Sequence, residues 1–195
     1  MYSKLIQTDR WLFTLINQRW SNRTFDLLMP FIREPLTWIP LYFFLIVYAI
    51  LNFPRKALSW ILTLGMTAAL TDAISSHLIK PFFARPRPCS DLSLLESMRM
   101  LAIHCGSNGS FTSSHAANHF GVAMFVFMTL TNVWKKFTLF FFLWAGAICY
   151  AQVYVGVHYP FDVIGGAILG MLGGWATGKI HVMKFGNIEL QNASS

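Results

Sequence analysis

The stretch Phe137-Thr-Leu-Phe-Phe-Phe-Leu-Trp-Ala-Gly-Ala-Ile-Cys-Tyr-Ala-Gln-Val-Tyr154 carries no charged residue over a length that can cross a bilayer. A spanning helix takes about 20 mainly apolar residues, and about 17 at the short end. Four more runs read the same way: Leu36–Phe53, Ala57–Ile79, Ala116–Val133 and Pro160–Lys179. Each must be a helix, because a single segment in lipid has to satisfy its own backbone. Trp38, Trp60 and Trp134 stand near run ends, where interfacial anchors sit. The expected fold is all-α, a polytopic membrane helix bundle with five clear transmembrane helices.

Composition agrees. The chain has 195 residues, 55% hydrophobic and 12% charged, with a mean hydropathy of +0.49. Soluble domains carry roughly 25% charged residues. Too few polar groups remain to cover a water-facing surface, so lipid is the expected solvent. The formal net charge is +7, with six basic residues in short loops between apolar runs or just after the last one. That pattern suits a membrane protein and not a nucleic-acid binder. The start, Met1 to Trp11, is polar and lacks a small-residue cleavage site, so no cleavable signal peptide is expected.

Ahead of the first clear run, Trp11–Asn17 and Phe25–Ile32 are short apolar stretches separated by the polar segment Gln18–Thr24. Each is too short to span. They read as interfacial or re-entrant helices at the membrane surface, with a sixth, broken span as the alternative. One domain is expected over residues 1–195: an interfacial segment at 1–35, the bundle at 36–180 and a flexible tail at 185–195.

Orientation follows from the basic residues. Arg55, Lys56, Lys135, Lys136, Lys179 and Lys184 all fall on the side opposite the long loop Lys80–His115. The positive-inside rule makes that side cytoplasmic and turns the loop outward. Lys80, Arg85, Arg87 and Arg99 within the loop run against this count. Cys89 and Cys105 bracket a polar part of the loop. Two free thiols and a disulfide are both open; a disulfide would place the loop in an oxidising compartment. Cys149 lies in an apolar run and reads as a packed thiol. Gly166, Gly170, Gly174 and Gly178 form a smooth stripe on the last run, suited to close helix approach within the bundle or between copies.

Three polar clusters fall at run ends on one membrane face. Lys80-Pro-Phe-Phe-Ala-Arg85-Pro-Arg87-Pro88 fixes three cations on a loop stiffened by prolines. Fixed cations suit a phosphate, although a loop greeting lipid headgroups would look alike. Gly109-Ser110-Phe111-Thr112-Ser113-Ser114-His115 places hydroxyls and a histidine at a helix start, where Ser113 or Ser114 can cap and free N–H groups attract anions. Val155-Gly156-Val157-His158-Tyr159-Pro160-Phe161-Asp162 sets His158 and Asp162 four apart, with Pro160 in the first turn of a helix. The carboxylate could hold one imidazole nitrogen and leave the other as a nucleophile. Convergence of all three points to a site.

Together the clusters resemble the type 2 phosphatidic acid phosphatase superfamily, which includes the vanadium haloperoxidases. Lys80 and Arg87-Pro88 match its first motif, Lys, six residues, Arg-Pro. Thr112-Ser113-Ser114-His115 keeps the serine and histidine of its second, Pro-Ser-Gly-His. His158 and Asp162 match the end of its third, Ser-Arg, five residues, His, three residues, Asp, while Ala151 and Gln152 replace Ser-Arg. The resemblance covers roughly Ala57 to Lys179. It implies that Lys80, Arg87 and Ser113, with Ser114 beside it, hold phosphate oxygens. By the same resemblance His158 attacks phosphorus, Asp162 orients it, and His115 protonates the leaving oxygen before helping water hydrolyse the phosphohistidine. Such transfer is mostly positioning and electrostatic stabilisation, so no metal or other cofactor is implied.

Gln152 takes the place of a phosphate-binding arginine, and Arg85 is the expected replacement cation. Asp72, two turns below Lys80 within a span, is expected to anchor a basic site residue or His77. The function expected is a lipid phosphatase at the outer face of a bacterial inner membrane. Candidate substrates are undecaprenyl diphosphate, phosphatidylglycerol phosphate, phosphatidic acid and lipid A phosphates; the partners are membrane lipids. The alternative is a non-catalytic lipid-phosphate binder or transport partner with a degenerate site. Soluble haloperoxidase chemistry is disfavoured by the spans.

Overall fold

The computed structural model describes residues 2–189, which are helical with no strand. Helix α1 (Tyr2–Thr14) runs into a π-helical turn, and α2 covers Arg23–Arg33. Helix α3 (Ile39–Asn52) is followed by α4 (Pro54–Ala73), which continues through a π-helical stretch into the short α5 (Lys80–Phe83). The long loop leads to α6 (Ser114–Trp134), then α7 (Phe140–Tyr154) and α8 (Pro160–Phe185). Four helical stretches are long and apolar enough to cross a membrane: Pro35–Asn52, Pro54–Phe83, Ser114–Tyr154 and Pro160–Phe185. The third contains both α6 and α7, which fold back on each other, as the pairs Phe120–Phe142 and Thr131–Thr138 show.

Helix α8 has two faces. Ile164, Ile168 and Leu172 point outward, as a lipid-facing surface requires. Gly166, Gly170, Gly174 and Gly178 are buried against α6. A Cβ on Gly170 would stand 2.2 Å from the Ala117 carbonyl oxygen, and one on Gly174 2.2 Å from that of Gly121. The glycine stripe is therefore used inside the bundle. Helix α4 joins α8 through a polar seam: Thr67 to Thr177 at 2.8 Å and Thr63 to His181 Nδ1 at 3.2 Å.

Three expectations change. Trp60 is fully buried, with its indole N–H donated to Thr129 Oγ1 at 2.9 Å, and is a core residue instead of an interfacial anchor. The N-terminal helices are longer than the apolar stretches. Asp9, Arg10 and Asn17 belong to them because each finds a partner far along the chain: Arg85, Asp91, and the carbonyls of Arg99 and Tyr154. The chain does not fray at 185, since Ile188 is buried in the core and Lys56 Nζ donates to the Asn187 carbonyl at 2.7 Å. The rest of the expected tail, residues 190–195, lies outside the described residues.

Gly170→Ala should destabilise the bundle by about 1–3 kcal/mol, since the methyl meets backbone that cannot step aside. Gly146→Ala, with nothing within 4 Å of the added carbon, should leave stability unchanged or slightly higher. Thermal unfolding in detergent compares the two; equal midpoints would show that the α6–α8 contact tolerates a side chain.

Candidate active site

The close approach of α6 and α8 brings two of the sequence clusters together. Ser113 caps α6 by accepting the Ala116 N–H at 3.4 Å, and its own N–H donates to the Asp162 carbonyl at 2.9 Å. Asp162 is the third residue of α8, after Pro160 at the first. From there its Oδ2 reaches back to accept the Tyr159 N–H at 2.8 Å, as capping carboxylates do. The same oxygen accepts the Ser110 hydroxyl and lies 3.6 Å from His158 Nδ1. Ser110 Oγ is itself 3.5 Å from Nδ1. Asp162 Oδ1 accepts from Arg85 Nη1 at 2.7 Å.

His158 sits between α7 and α8 and is 2% exposed. Its Nε2 is 3.3 Å from Arg87 Nη1. A guanidinium can only donate, so Nε2 presents its lone pair and the ring proton is assigned to Nδ1, facing Asp162. Burial pushes the imidazole pKa down to about 4; Asp162 opposes the shift and the Arg87 charge adds to it. His158 is thus neutral at pH 7, with a free electron pair on Nε2.

Lys80 is the first residue of α5 and is buried. Its Nζ donates to Ser114 Oγ at 2.8 Å, and Ser75 and Ser76 stand 3.1 and 3.0 Å from that hydroxyl. Arg87 donates Nε to the Asn108 carbonyl at 2.9 Å. Burial, countered by Asp162, holds its guanidinium below the usual value. A cavity of about 390 Å³ opens beside these cations, lined by Ser76, Lys80, Arg87, Ser107 and Asn108 among others. A second cavity of about 400 Å³ shares Ala84, Arg85 and Pro86 with it but is lined by Leu5, Ile6, Phe83, Phe111 and Phe161. Neither is lined by His158 or His115; Arg87 links the first cavity to His158. His115 lies in the first turn of α6, stacked on His119 with ring centroids 6.3 Å apart. Cys89 and Cys105 are joined by a disulfide, with Cα atoms 5.9 Å apart.

Three expected residues take other positions. Arg85 is not a spare cation, because both its terminal nitrogens are held by carboxylates, Asp162 at 2.7 Å and Asp9 at 2.6 Å. Gln152 is fully buried, and neither atom of its amide has a hydrogen-bond partner among the described residues. Asp72 accepts from Asn118 at 3.4 Å and forms no ion pair with Lys80 or with the exposed His77; it acts on Lys80 through its charge alone. Sequence reasoning also passed over Ser110, Asp9 and Arg33. Ser110 stood inside the second cluster, where its hydroxyl was visible. Nothing local marked Asp9 or Arg33. Arg33, the last residue of α2, is within Coulomb range of Arg87 and His115, and its Nε is buried without a partner. Among the described residues no group of three or more His, Cys, Asp or Glu is arranged to hold a metal.

Residues 56–185 match the profile of the PAP2 superfamily. The chain belongs to the PAP2 superfamily. It is similar to a lipid A 4'-phosphatase of Bacteroides thetaiotaomicron, 30% identical over 152 residues, 77% of this chain and 67% of that protein. A lipid A 4'-phosphatase of Porphyromonas gingivalis is 24% identical over 179 residues, 91% of this chain and 75% of its own length. The crystal structure of Aquifex aeolicus LpxE superposes with a TM-score of 0.61 at 28% identity, covering 86% of this chain and 93% of its own. A PAP2 type phosphatidylglycerolphosphate phosphatase from Bacillus subtilis shares the fold, with a TM-score of 0.66 at 19% identity over 93% of this chain and 88% of its own. With helices suited to crossing a bilayer, this PAP2 protein is an integral membrane protein.

Acid should destabilise the PAP2 bundle through His158. The unfolded imidazole takes a proton near pH 6.5 and the folded one near 4, so stability is lost as pH falls between these values. The loss is about 3 kcal/mol at full extent. Unfolding midpoints of parent and His158→Asn across pH 7 to 4 measure it. The parent should fall more steeply; parallel curves would mean the folded imidazole titrates normally.

Proposed function

We propose that this PAP2 protein is a lipid phosphatase that forms a phosphohistidine on His158, and that its substrate is a lipid A phosphate. The observation that carries the chemistry is the Nε2 lone pair of a neutral, buried imidazole facing Arg87 and backed by Asp162. A phosphate entering the polar cavity meets Lys80 and Arg87. Its charge draws Arg87 away from Nε2, because a charge-assisted bond to phosphate outweighs a contact with a neutral nitrogen. Nε2 then attacks phosphorus and the bond to the leaving oxygen breaks. His115 supplies the proton that oxygen takes up. Water next attacks phosphorus, the P–N bond breaks, and His115 recovers a proton. The polar cavity and its apolar neighbour share one wall, which suits a molecule with a phosphate head and hydrocarbon chains. Two relatives described as lipid A 4'-phosphatases favour that substrate over the other lipid phosphates.

The proposed topology gives α6 and α7 one crossing each, for five in all, with α1 and α2 lying at the face that bears the site. The disulfide in the long loop and the six cations at the other ends of the helices support an outward site across a bacterial inner membrane. Within the site, Arg33 carries the charge that Gln152 leaves out: its buried Nε lacks a partner, and it stands within range of both Arg87 and His115.

Purified protein should release phosphate from lipid A in detergent, and His158→Ala should abolish release. No release from lipid A, undecaprenyl diphosphate, phosphatidylglycerol phosphate or phosphatidic acid would sink the enzyme reading in favour of a binding protein. Release only from a glycerophospholipid or prenyl substrate would remove the lipid A assignment alone. Arg33→Gln should lower kcat/KM about ten- to hundredfold, the worth of one hydrogen bond to a charged group. Arg33→Lys should recover part of that loss; an Arg33→Gln variant as active as the parent would remove the residue from the site.

A further inference from the structure

The carboxylate of Asp162 is held by more than its own helix. Arg85 spans two carboxylates: Nη1 to Asp162 Oδ1 at 2.7 Å and Nη2 to Asp9 Oδ2 at 2.6 Å. Asp9 lies on α1, is fully buried, and uses Oδ1 to accept the Phe161 N–H at 2.8 Å, in the first turn of α8. The guanidinium also stacks over Tyr159, 4.2 Å from the ring centroid. The Tyr159 hydroxyl donates to Asp91 Oδ2 at 2.8 Å, which Arg10, the neighbour of Asp9, also binds at 2.6 Å. Two adjacent residues of α1 therefore clamp the segment that carries His158 and Asp162.

A buried carboxylate needs partners for its charge, and Asp9 has two. One is the Arg85 guanidinium, which also lines the polar cavity, and the other is the Phe161 N–H at the start of α8. Without Asp9, one end of the Arg85 fork loses its acceptor, and the guanidinium is free to rotate off Asp162 Oδ1. The carboxylate of Asp162 then loses its Oδ1 partner and is held through Oδ2 alone, by the Tyr159 N–H and the Ser110 hydroxyl, so its tilt toward Nδ1 is less fixed. That oxygen, 3.6 Å from Nδ1, favours the ring proton on Nδ1 from one side of the ring, as Arg87 favours the lone pair on Nε2 from the other. Orientation at this level is worth large factors in rate, because misplacing a reacting atom by about 1 Å can cost on the order of a hundredfold.

We propose that Arg85 and Asp9 are positioning residues for the nucleophile, with Asp9 on α1 fixing Arg85 so that Arg85 fixes Asp162 against His158. This rests on the reading of His158 as the nucleophile. It makes α1 part of the catalytic unit: the nucleophile is set only while α1 is docked.

The test uses the full-length protein in detergent and the variants Asp9→Asn, Arg85→Gln, Arg85→Lys and the double variant Asp9→Asn/Arg85→Gln. Each single variant should lower kcat for phosphate release about tenfold or more while KM changes little. The double variant should be no slower than Arg85→Gln, since Asp9 acts only through Arg85. The imidazole nitrogen spectrum of ¹⁵N-histidine-labelled protein, assigned by loss of the signal in His158→Ala, gives a second readout that needs no turnover. One tautomer in the parent should become a mixture in Asp9→Asn. Thermal unfolding identifies any variant that fails to fold. Arg85→Lys, which keeps the charge but lacks the fork, decides in place of Arg85→Gln if the latter does not fold.

A rise in KM at constant kcat on replacing Arg85 would make it a phosphate ligand and overturn the proposal. So would an Asp9→Asn variant with parental kcat and one His158 tautomer, or a double variant whose loss is the product of the single losses. If the parent releases no phosphate, the phosphatase reading falls by itself, and the tautomer measurement then decides whether Asp9 holds His158.

Discussion

Asp162 accepts the Tyr159 amide, the Ser110 hydroxyl and the Arg85 guanidinium on two oxygens, and turns one of those oxygens toward His158. Each partner comes from a different part of the fold: the start of α8, the loop before α6, and the loop after α5. Asp162 can hold them together because α8 touches α6 at backbone contact, which puts the Asp162 carbonyl 2.9 Å from the Ser113 amide. That contact in turn requires glycine at 166 and 170, since a Cβ at either would enter the carbonyl oxygen of Ser113 or Ala117. The glycine stripe and the Asp162 carboxylate are thus one arrangement, built from successive turns of α8.

Much of this was legible in the sequence because the relevant patterns are local. A charge-free run announces its own burial in lipid, and the spacing of His158 and Asp162 is set by the first turn of a helix. The convergence of Lys80, Ser114 and His158 on one face followed from helix ends alternating sides of a membrane. Pairing across the chain could not be read. Arg85 looked like a free cation because Asp9 lies 76 residues away in sequence. Trp60 looked like an interfacial anchor because its partner, Thr129, belongs to another helix. Asp72 acts on Lys80 through its charge, but nothing in the second span reveals that its hydrogen bond goes to Asn118. In each case composition named a polar group correctly, and a long-range partner decided its role.

The N-terminal helices show the same limit from the other side. Short apolar stretches broken by polar residues suggested elements resting at the membrane surface. In the fold the polar residues are what attach them: Asn17 bridges the carbonyls of Arg99 and Tyr154, and Asp26 receives Arg99 and the Tyr154 hydroxyl. A helix too short to be stable alone gains its stability from such tertiary contacts. Met29 of α2 packs on Ala151, Val155 and Val157 in one cluster, and Arg33 follows one turn later. Burial of Met29 therefore directs Arg33 toward Arg87 and His115.

Pairing also separates the basic residues into two kinds. Among the described residues, Arg10, Arg85 and Arg99 each have a carboxylate within 2.7 Å. Lys80, Arg87 and Arg33 form no ion pair there. A buried or half-buried cation without a direct ion pair is costly, and mutual repulsion adds to the cost where Arg33 and Arg87 approach. A protein gains nothing in stability from such an arrangement. A doubly charged phosphate reverses the balance, since its oxygens can satisfy several donors at once. In the proposed function, the carboxylate-paired cations hold the loops in place, and Lys80, Arg87 and Arg33 receive the anion. On the proposed reading Arg85 belongs to the scaffold and Arg33 to the site. Neighbours in sequence could not make that division, because Arg85 lies in the same motif as Arg87 and Arg33 lies in none.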